Sequence, residues 1–315
     1  MVCPALFLRA GSTSDQWTDK PLYAKLLRNR NLPDPAGSTA EGTKTMSFEL
    51  IALDIDGTLL DSRKEVSPET LQAVRDVCAA KKTVVFDTGR AVCELTDLFE
   101  LLPEVRHAVF ASGAGIYDAR EKQAFALHGI SREDADVIFS LARTKDVMPQ
   151  IVLADADVIQ ASHLDRLERF HMGIYRPLYE KTMTLVPDIY AFAASCPDAM
   201  LKINLYHADP EERIRTNARL SSLNIERVYS EVSSLECSAR GIDKGSGLLR
   251  LCAGLGIPPE QSIACGDADN DIPMLKAAGL GVAMGNAAEH IKTAAGKVVS
   301  DLDHGGCAQA IRMLL

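Results

Sequence analysis

The stretch I-A-L-D-I-D-G-T-L-L, Ile51 to Leu60, constrains this chain more than any other. An apolar run, Ile51-Ala52-Leu53, leads into Asp54; one apolar residue separates it from Asp56, and Gly57-Thr58 then turns the chain. A strand buried in a parallel sheet reads as a continuous apolar run, and ligands of open α/β sheets bind beyond the carboxyl ends of such strands. Two carboxylates at that end either belong to a site or accompany a tight bend, since Asp-Gly pairs form turns readily. Taken alone, the stretch leaves both readings open.

The pattern downstream of Phe48 is regular. Ser67-Pro68-Glu69 predicts a helix start, with a serine cap, proline in the first turn and an acid behind it; Leu71, Val74 and Cys78 continue at helical spacing. The β-branched run Thr83 to Phe86 predicts a second strand ending in Asp87-Thr88-Gly89-Arg90, and Ala108 to Ala111 a third. Strands alternating with helices predict an α/β fold with a doubly wound, Rossmann-like parallel sheet. Between about Asp118 and Arg227 the alternation gives way to a mixture: helix-like segments over 132–143 and 210–223, strand-like ones over 150–153 and 199–206. It then resumes with a helix over 244–255 stopped by Gly256, a strand over 262–265, a helix from about Asp271 stopped by Gly279, a strand over 281–284 and a last helix over 307–314. The expected organisation is a core built from 47–117 and 228–315 with an inserted α/β domain over 118–227. A chain of 315 residues exceeds what one hydrophobic core usually serves, which agrees with two domains.

Residues 1–45 carry no helical or strand periodicity. They predict a disordered tail, or a start assigned too early with Met46 as the true one. A signal peptide would need a basic segment before its apolar run, and a transit peptide would avoid Asp15, Asp19, Asp34 and Glu41. With a net charge of −9 and a pI near 5.3, a nucleic-acid or anionic-membrane surface is excluded as the main interface, so a site for an anion must supply its own positive charge. The eight cysteines show no paired or zinc-type spacing and read as reduced core fillers of a cytoplasmic protein. No apolar run is long enough to span a membrane.

Four features fall at strand ends or helix starts: Asp54 with Asp56, Thr88 with Gly89, Lys244 opening a helix, and Gly266-Asp267-Ala268-Asp269-Asn270-Asp271. One site explains them more economically than four coincidences. A cation in the first turn of a helix opposes the helix dipole, and a bound anion reverses that penalty. Asn270 and Asp271 also suit helix capping, a role that can coexist with another.

In these motifs, D-I-D-G-T-L-L with G-D-A-D-N-D-I-P-M-L-K-A-A-G and G-V-A-M-G-N-A, the chain resembles the haloacid dehalogenase-like hydrolases, and within them the Cof-type, sugar-phosphatase-like branch with an α/β cap. The resemblance runs from about Phe48 to the C-terminus. It implies a phosphatase for a small phosphorylated metabolite, in which Asp54 is the nucleophile and Asp56 protonates the leaving alcohol and later activates water. It further implies that Thr88, Gly89, Lys244 and Asn270 bind the phosphoryl group. Magnesium would be held by Asp54, Asp267 and the backbone carbonyl of Asp56, while Asp271 orients Lys244 or a metal-bound water. The insertion would be the cap that excludes water and chooses the substrate.

Electrostatics asks for the metal independently. A phosphate dianion about 4 Å from each carboxylate meets roughly 4 kcal/mol of repulsion per unit-charge pair at an effective dielectric of 20. Lys244 cannot offset several such terms, whereas a hard divalent ion with oxygen ligands can. Two departures from the family bear on substrate contacts: Ser112-Gly113-Ala114 where relatives commonly have Asn-Gly-Ala, and Asp301 and Asp303 in a stretch that often carries Asn. His163 and His171 read as surface or packed histidines. Lys202 alternates with apolar neighbours and could face the cap interface or solvent, and Trp17, in the tail, indicates nothing. The rival readings are a phosphomutase of phosphomannomutase type, which would need a bisphosphate activator, and a non-catalytic binding protein, for which a lost nucleophile or lysine would be expected.

Overall fold

Leu50–Leu53 forms β1, and every residue in it is buried. In the computed structural model, which describes residues 47–196 and 199–315, β1 lies at the centre of an eight-stranded sheet. The tail expected over residues 1–45, with Trp17, lies outside the described residues. The strands that follow are β2 (Thr83–Asp87), β3 (His107–Phe110), β4 (Gly115–Asp118) and β5 (Gln123–Phe125). A second group contains β6 (Val147–Val152), β7 (Asp157–Gln160), β8 (Thr184–Val186), β9 (Lys202–His207), β10 (Ile225–Val228) and β11 (Ser234–Ala239). The chain then returns to the first sheet with β12 (Ser262–Gly266), β13 (Leu280–Ala283) and β14 (Lys297–Val298).

The first sheet has the order β14-β13-β12-β1-β2-β3-β4-β5, parallel from β14 to β3 and antiparallel at β4 and β5. Alternation in β1 sends Ile51 and Leu53 into one layer and Leu50 and Ala52 into the other. The first layer is closed by helices Pro68–Ala79, through Ala73, Val74 and Val77, and Gly306–Ile311. The second is closed by Lys244–Leu255, through Leu248, Leu251 and Cys252, and Ile272–Ala277. Each fully buried aliphatic side chain contributes about 1.5–3 kcal/mol, which pins β1 in register between β12 and β2 and so fixes where its carboxyl end falls. Ser67 caps the first helix by accepting from the Thr70 N–H at 3.1 Å, and Gly256 ends the helix from Lys244 in the left-handed region, as expected from sequence. The helix expected over 210–223 is Pro210–Arg219, its last turn closed at Leu220.

The second sheet, ordered β10-β11-β9-β6-β7-β8, is antiparallel except for the β7–β8 pair. One face buries Ile151, Ile203, Leu205 and Leu235 against Ile138, Phe139 and Ile189 of its covering helices. The other face looks toward the first sheet's carboxyl ends. Because β5 pairs in the first sheet and β11 in the second, we propose junctions near residues 126 and 240, later at both ends than the 118 and 227 expected from sequence. Among the described residues no helix is long and apolar enough to cross a membrane, and the cysteines are free.

Candidate active site

Three neighbouring strands, β12, β1 and β2, end side by side, at Gly266-Asp267, Asp54 and Asp87-Thr88. The Asp54 N–H donates to the Cys265 carbonyl at 3.0 Å, so the last rung of the β1–β12 ladder sets the position of that carboxylate. Lys244, the first residue of its helix, is 1% exposed. Its Nζ donates to Asp54 Oδ1 at 2.6 Å and to Asp271 Oδ1 at 2.5 Å. Asp271 Oδ2 accepts the backbone N–H groups of Asp267 and Ala268 at 2.8 and 2.9 Å. Asp271 therefore both orients Lys244 and closes the loop that carries Asp267.

This cluster is short of positive charge. Burial, then the charge of Asp271, push Asp54 well above the ordinary carboxylate range in spite of Lys244. Burial and Asp271 likewise push Asp267 up to about 7. One oxygen from each of Asp54, Asp267 and Asp271 lies within 4.8 Å of the others. Both Asp271 oxygens are held by short bonds of 2.5–2.9 Å, whereas Asp267 accepts only longer ones, from Thr58 Oγ1 at 3.1 Å and Asn286 Nδ2 at 3.2 Å, and Lys244 bonds Asp54 through Oδ1, so Asp54 and Asp267 are the better placed to hold a cation. Hard carboxylate oxygens around a deficit of positive charge fit a divalent cation such as magnesium. Gly57, at φ +88°, lets the loop pass so close that a Cβ there would lie 2.3 Å from Asp267 Oδ2. Asn286 ties the loops together, its Nδ2 donating to the Gly57 carbonyl at 3.0 Å and to Asp267 Oδ2 at 3.2 Å.

The Asp56 side chain stands apart from the cluster. It is gripped by Arg90, through Nε at 2.7 Å and a terminal nitrogen at 2.9 Å, and by Lys64 at 2.9 Å. Burial acts to raise its pKa, but Arg90 and Lys64 outweigh it and bring Asp56 down to about 2. Thr88 is buried, and its Oγ1 accepts the Arg90 N–H at 3.1 Å. Asn270, at the edge of the cavity above the cluster, has a buried Oδ1 without a partner. Asp87 is fully buried with neither oxygen hydrogen-bonded, and burial pushes it well above the carboxylate range.

Above the cluster is a cavity of about 290 Å³ whose far wall is the second sheet. Of the two positions left open for Lys202 by the sequence, cap interface or solvent, the structure has the first, and Lys202 lines this cavity. It is 1% exposed and donates to the Gly89 carbonyl at 2.6 Å and the Ser112 hydroxyl at 3.3 Å, with Glu236 Oε1 at 3.3 Å. Ser112 in turn donates to Glu236 Oε2 at 2.7 Å. Arg90, Lys64, Glu236 and Asn286 escaped the sequence reading. Arg90 was signalled by its place directly after Thr88-Gly89 and Asn286 by its place in G-V-A-M-G-N-A; Lys64 and Glu236 lie on segments without a motif. Asp301 and Asp303 stay out of the cavity and brace a loop, Asp303 accepting the Ser62 N–H at 3.0 Å. His163 packs edge-on against Phe170, and His171 contacts the Ala208 carbonyl at 3.2 Å.

The sequence profile of the haloacid dehalogenase-like hydrolases matches residues 51–311. The chain belongs to that family. It is 30% identical over 287 residues to the phosphatase YwpJ of Bacillus subtilis, an alignment covering 85% of this chain and all of that one. To the pyridoxal phosphate phosphatase YbhA of Escherichia coli it is 28% identical over 269 residues, covering 84% and 98%. A haloacid dehalogenase-like hydrolase of B. subtilis superposes with a TM-score of 0.75 at 31% identity, covering 85% of this chain and all of that one. The protein is thus a haloacid dehalogenase-like phosphatase, a phosphoric monoester hydrolase, with the mostly parallel core sheet and inserted mixed sheet, the cap, of its Cof-type branch.

Proposed function

We propose that this phosphatase hydrolyses a small phosphorylated metabolite, sugar-phosphate-like in size, through an aspartyl-phosphate on Asp54, with magnesium as cofactor. The observation that carries the reading is the buried Asp54–Lys244–Asp271 chain at the floor of a cavity at the small end of the range for ligand pockets. Asp54 and Asp267, with the Asp56 carbonyl, would hold magnesium, which would supply positive charge against the phosphoryl oxygens. Lys244 holds one Asp54 oxygen and leaves the other to attack phosphorus, breaking the bond to the leaving alkoxide, which takes a proton from Asp56. Asp56 then takes a proton from water, the water oxygen attacks phosphorus, and the bond to Asp54 breaks to release phosphate. In the grip of Arg90 and Lys64, Asp56 is a carboxylate; a phosphoryl dianion that competes for those two cations lets it take up a proton from solvent as substrate binds, and that is the proton it passes to the leaving alkoxide. Thr88 through its hydroxyl, Gly89 through its N–H and Asn270 through its Nδ2 donate to the remaining phosphoryl oxygens; Thr88, Gly89 and Asn270 all line the cavity.

Phosphate release from a panel of phosphorylated sugars, polyols and cofactors tests the reading. Turnover should require magnesium and fall to background in Asp54→Asn. Turnover that survives this substitution would remove Asp54 as nucleophile.

A further inference from the structure

Resting on that reading, we infer that the cap selects a leaving group bearing hydroxyl or ammonium donors and rejects one bearing a second anion, with Glu231 and Asn204 as specificity-determining residues. Lys202, Asn204 and Tyr206 alternate along β9 onto the face that meets the cavity, and Gln150 and Glu236 stand directly opposite Asn204 on the flanking strands.

The donors on this wall are engaged with protein acceptors. The ammonium of Lys202 has three N–H bonds and three protein oxygens around it: Gly89, Ser112 and Glu236. Asn204 Nδ2 donates to Gln150 Oε1 at 2.7 Å and to the Tyr206 hydroxyl at 3.2 Å. Gln150 Nε2 donates to Asp157 at 2.6 Å, and the Tyr206 hydroxyl donates to Gln150 at 2.8 Å. The Tyr175 hydroxyl donates to Glu231 Oε1 at 2.5 Å. The cavity's two other cations, Lys64 and Arg90, are both on Asp56. Among the described residues lining the cavity, no cation stands ready for a second anion.

What remains is acceptor capacity. Asn204 is 4% exposed, and its Oδ1 is buried without a partner, a state that is expensive unless a ligand supplies a donor. Glu231 uses one oxygen for Tyr175, while Glu236, whose two oxygens meet Lys202 and Ser112, contributes carboxylate charge to the same wall. A polyol or amine donates to these groups. A carboxylate or second phosphate meets like charge in a site with little water to screen it.

Matched substrates test this with magnesium present: 2-hydroxyethyl phosphate and ethanolamine phosphate against phosphoglycolate, and fructose 6-phosphate against fructose 1,6-bisphosphate. The hydroxyl and ammonium members should exceed their anionic partners in kcat/KM by at least about tenfold. Calorimetric binding of the same compounds to Asp54→Asn should give the same ranking without turnover. Glu231→Gln, checked for an unchanged thermal midpoint, should bring the ratios at least about threefold closer to one. Equal or better turnover of phosphoglycolate or the bisphosphate overturns the inference, and unchanged ratios in folded Glu231→Gln overturn the role of that residue. p-Nitrophenyl phosphate serves as the separate control. If it is not hydrolysed while the binding ranking holds, the phosphatase reading fails and the selection stands.

Discussion

Asp56 shows how far neighbours can pull one carboxylate. It lies two residues from Asp54, yet the two are displaced in opposite directions, Asp54 upward by burial and Asp271, Asp56 down to about 2 by Arg90 and Lys64 acting against burial. A pair of carboxylates with separated pKa values is the arrangement that assigns one to nucleophilic work and the other to proton transfer. Replacing Arg90 by Ala removes two of the three bonds to Asp56, so its pKa should climb from about 2 toward the ordinary 3.8. Carboxyl carbon NMR titration reads this directly; an Asp56 that still titrates near 2 would show that Lys64 alone sustains the shift. At this scale the sequence was most informative about groups whose type is constrained by a strand end. Asp54, Asp267 and Lys244 are each placed by a strand or a helix start that periodicity makes visible. Arg90 and Lys64 are long side chains whose reach depends on rotamers, and nothing in their spacing says that they converge on Asp56.

Elements tell a second story, best seen in β9. The run Lys202-Ile203-Asn204-Leu205-Tyr206 alternates polar and apolar, the pattern of a strand with one face on a core. The period was legible, and it sends Ile203 and Leu205 into the cap core. What the polar face meets was not, because a wall packed over a second domain leaves the same alternation as a wall facing water. All six residues of β9 are buried. Lys202 is thereby a strut from cap to core: it fixes the Gly89 carbonyl, whose peptide carries the Arg90 N–H that bonds Thr88 Oγ1. Ser112, at φ 54°, occupies the left-handed region that Asn tolerates better, and its hydroxyl completes the strut by bridging Lys202 and Glu236. Lys202→Met leaves Glu236 buried without its cation, and breaking such a pair costs about 3–5 kcal/mol. Urea denaturation should show that loss, and the double variant Lys202→Met/Glu236→Gln should recover more than half of it. Phosphate release should stay low in both, since neither restores the bond to Gly89. Wild-type turnover in the double variant would reduce the strut to a purely structural role.

At the scale of the whole molecule, metal, protons and folding stability are linked through the same carboxylates. Asp267, at about 7, holds its proton in the folded chain over a range where the unfolded chain, at 3.8, has lost it. A raised carboxyl contributes stability that is fully present below 3.8 and gone once the pH has risen through 7. Between pH 5 and 8 this removes roughly 2–3 kcal/mol from the metal-free protein. Asp54 and Asp87 act in the same sense. His107, pushed down to about 4 mainly by burial, acts in the opposite sense, because the unfolded chain takes up a proton there first. The total pH profile is therefore a poor witness, but the difference between profiles with and without magnesium is a good one, since His107 contributes equally to both. Magnesium must displace the Asp267 proton, and that of Asp54 where it is held, so its affinity should fall at least about tenfold for each pH unit below 7, or at least about 1.4 kcal/mol of stabilisation per unit at saturating metal. Chemical denaturation at pH 5, 6 and 8, with and without magnesium, should show a stabilisation that grows with pH in the wild type and is largely lost in Asp267→Asn. A stabilisation independent of pH, or one retained in Asp267→Asn, would place the metal away from the carboxyl ends of β1 and β12. Those strands bring Asp54 and Asp267 together only in the folded core, so a metal effect with this pH dependence reports the assembled site and not an acidic surface.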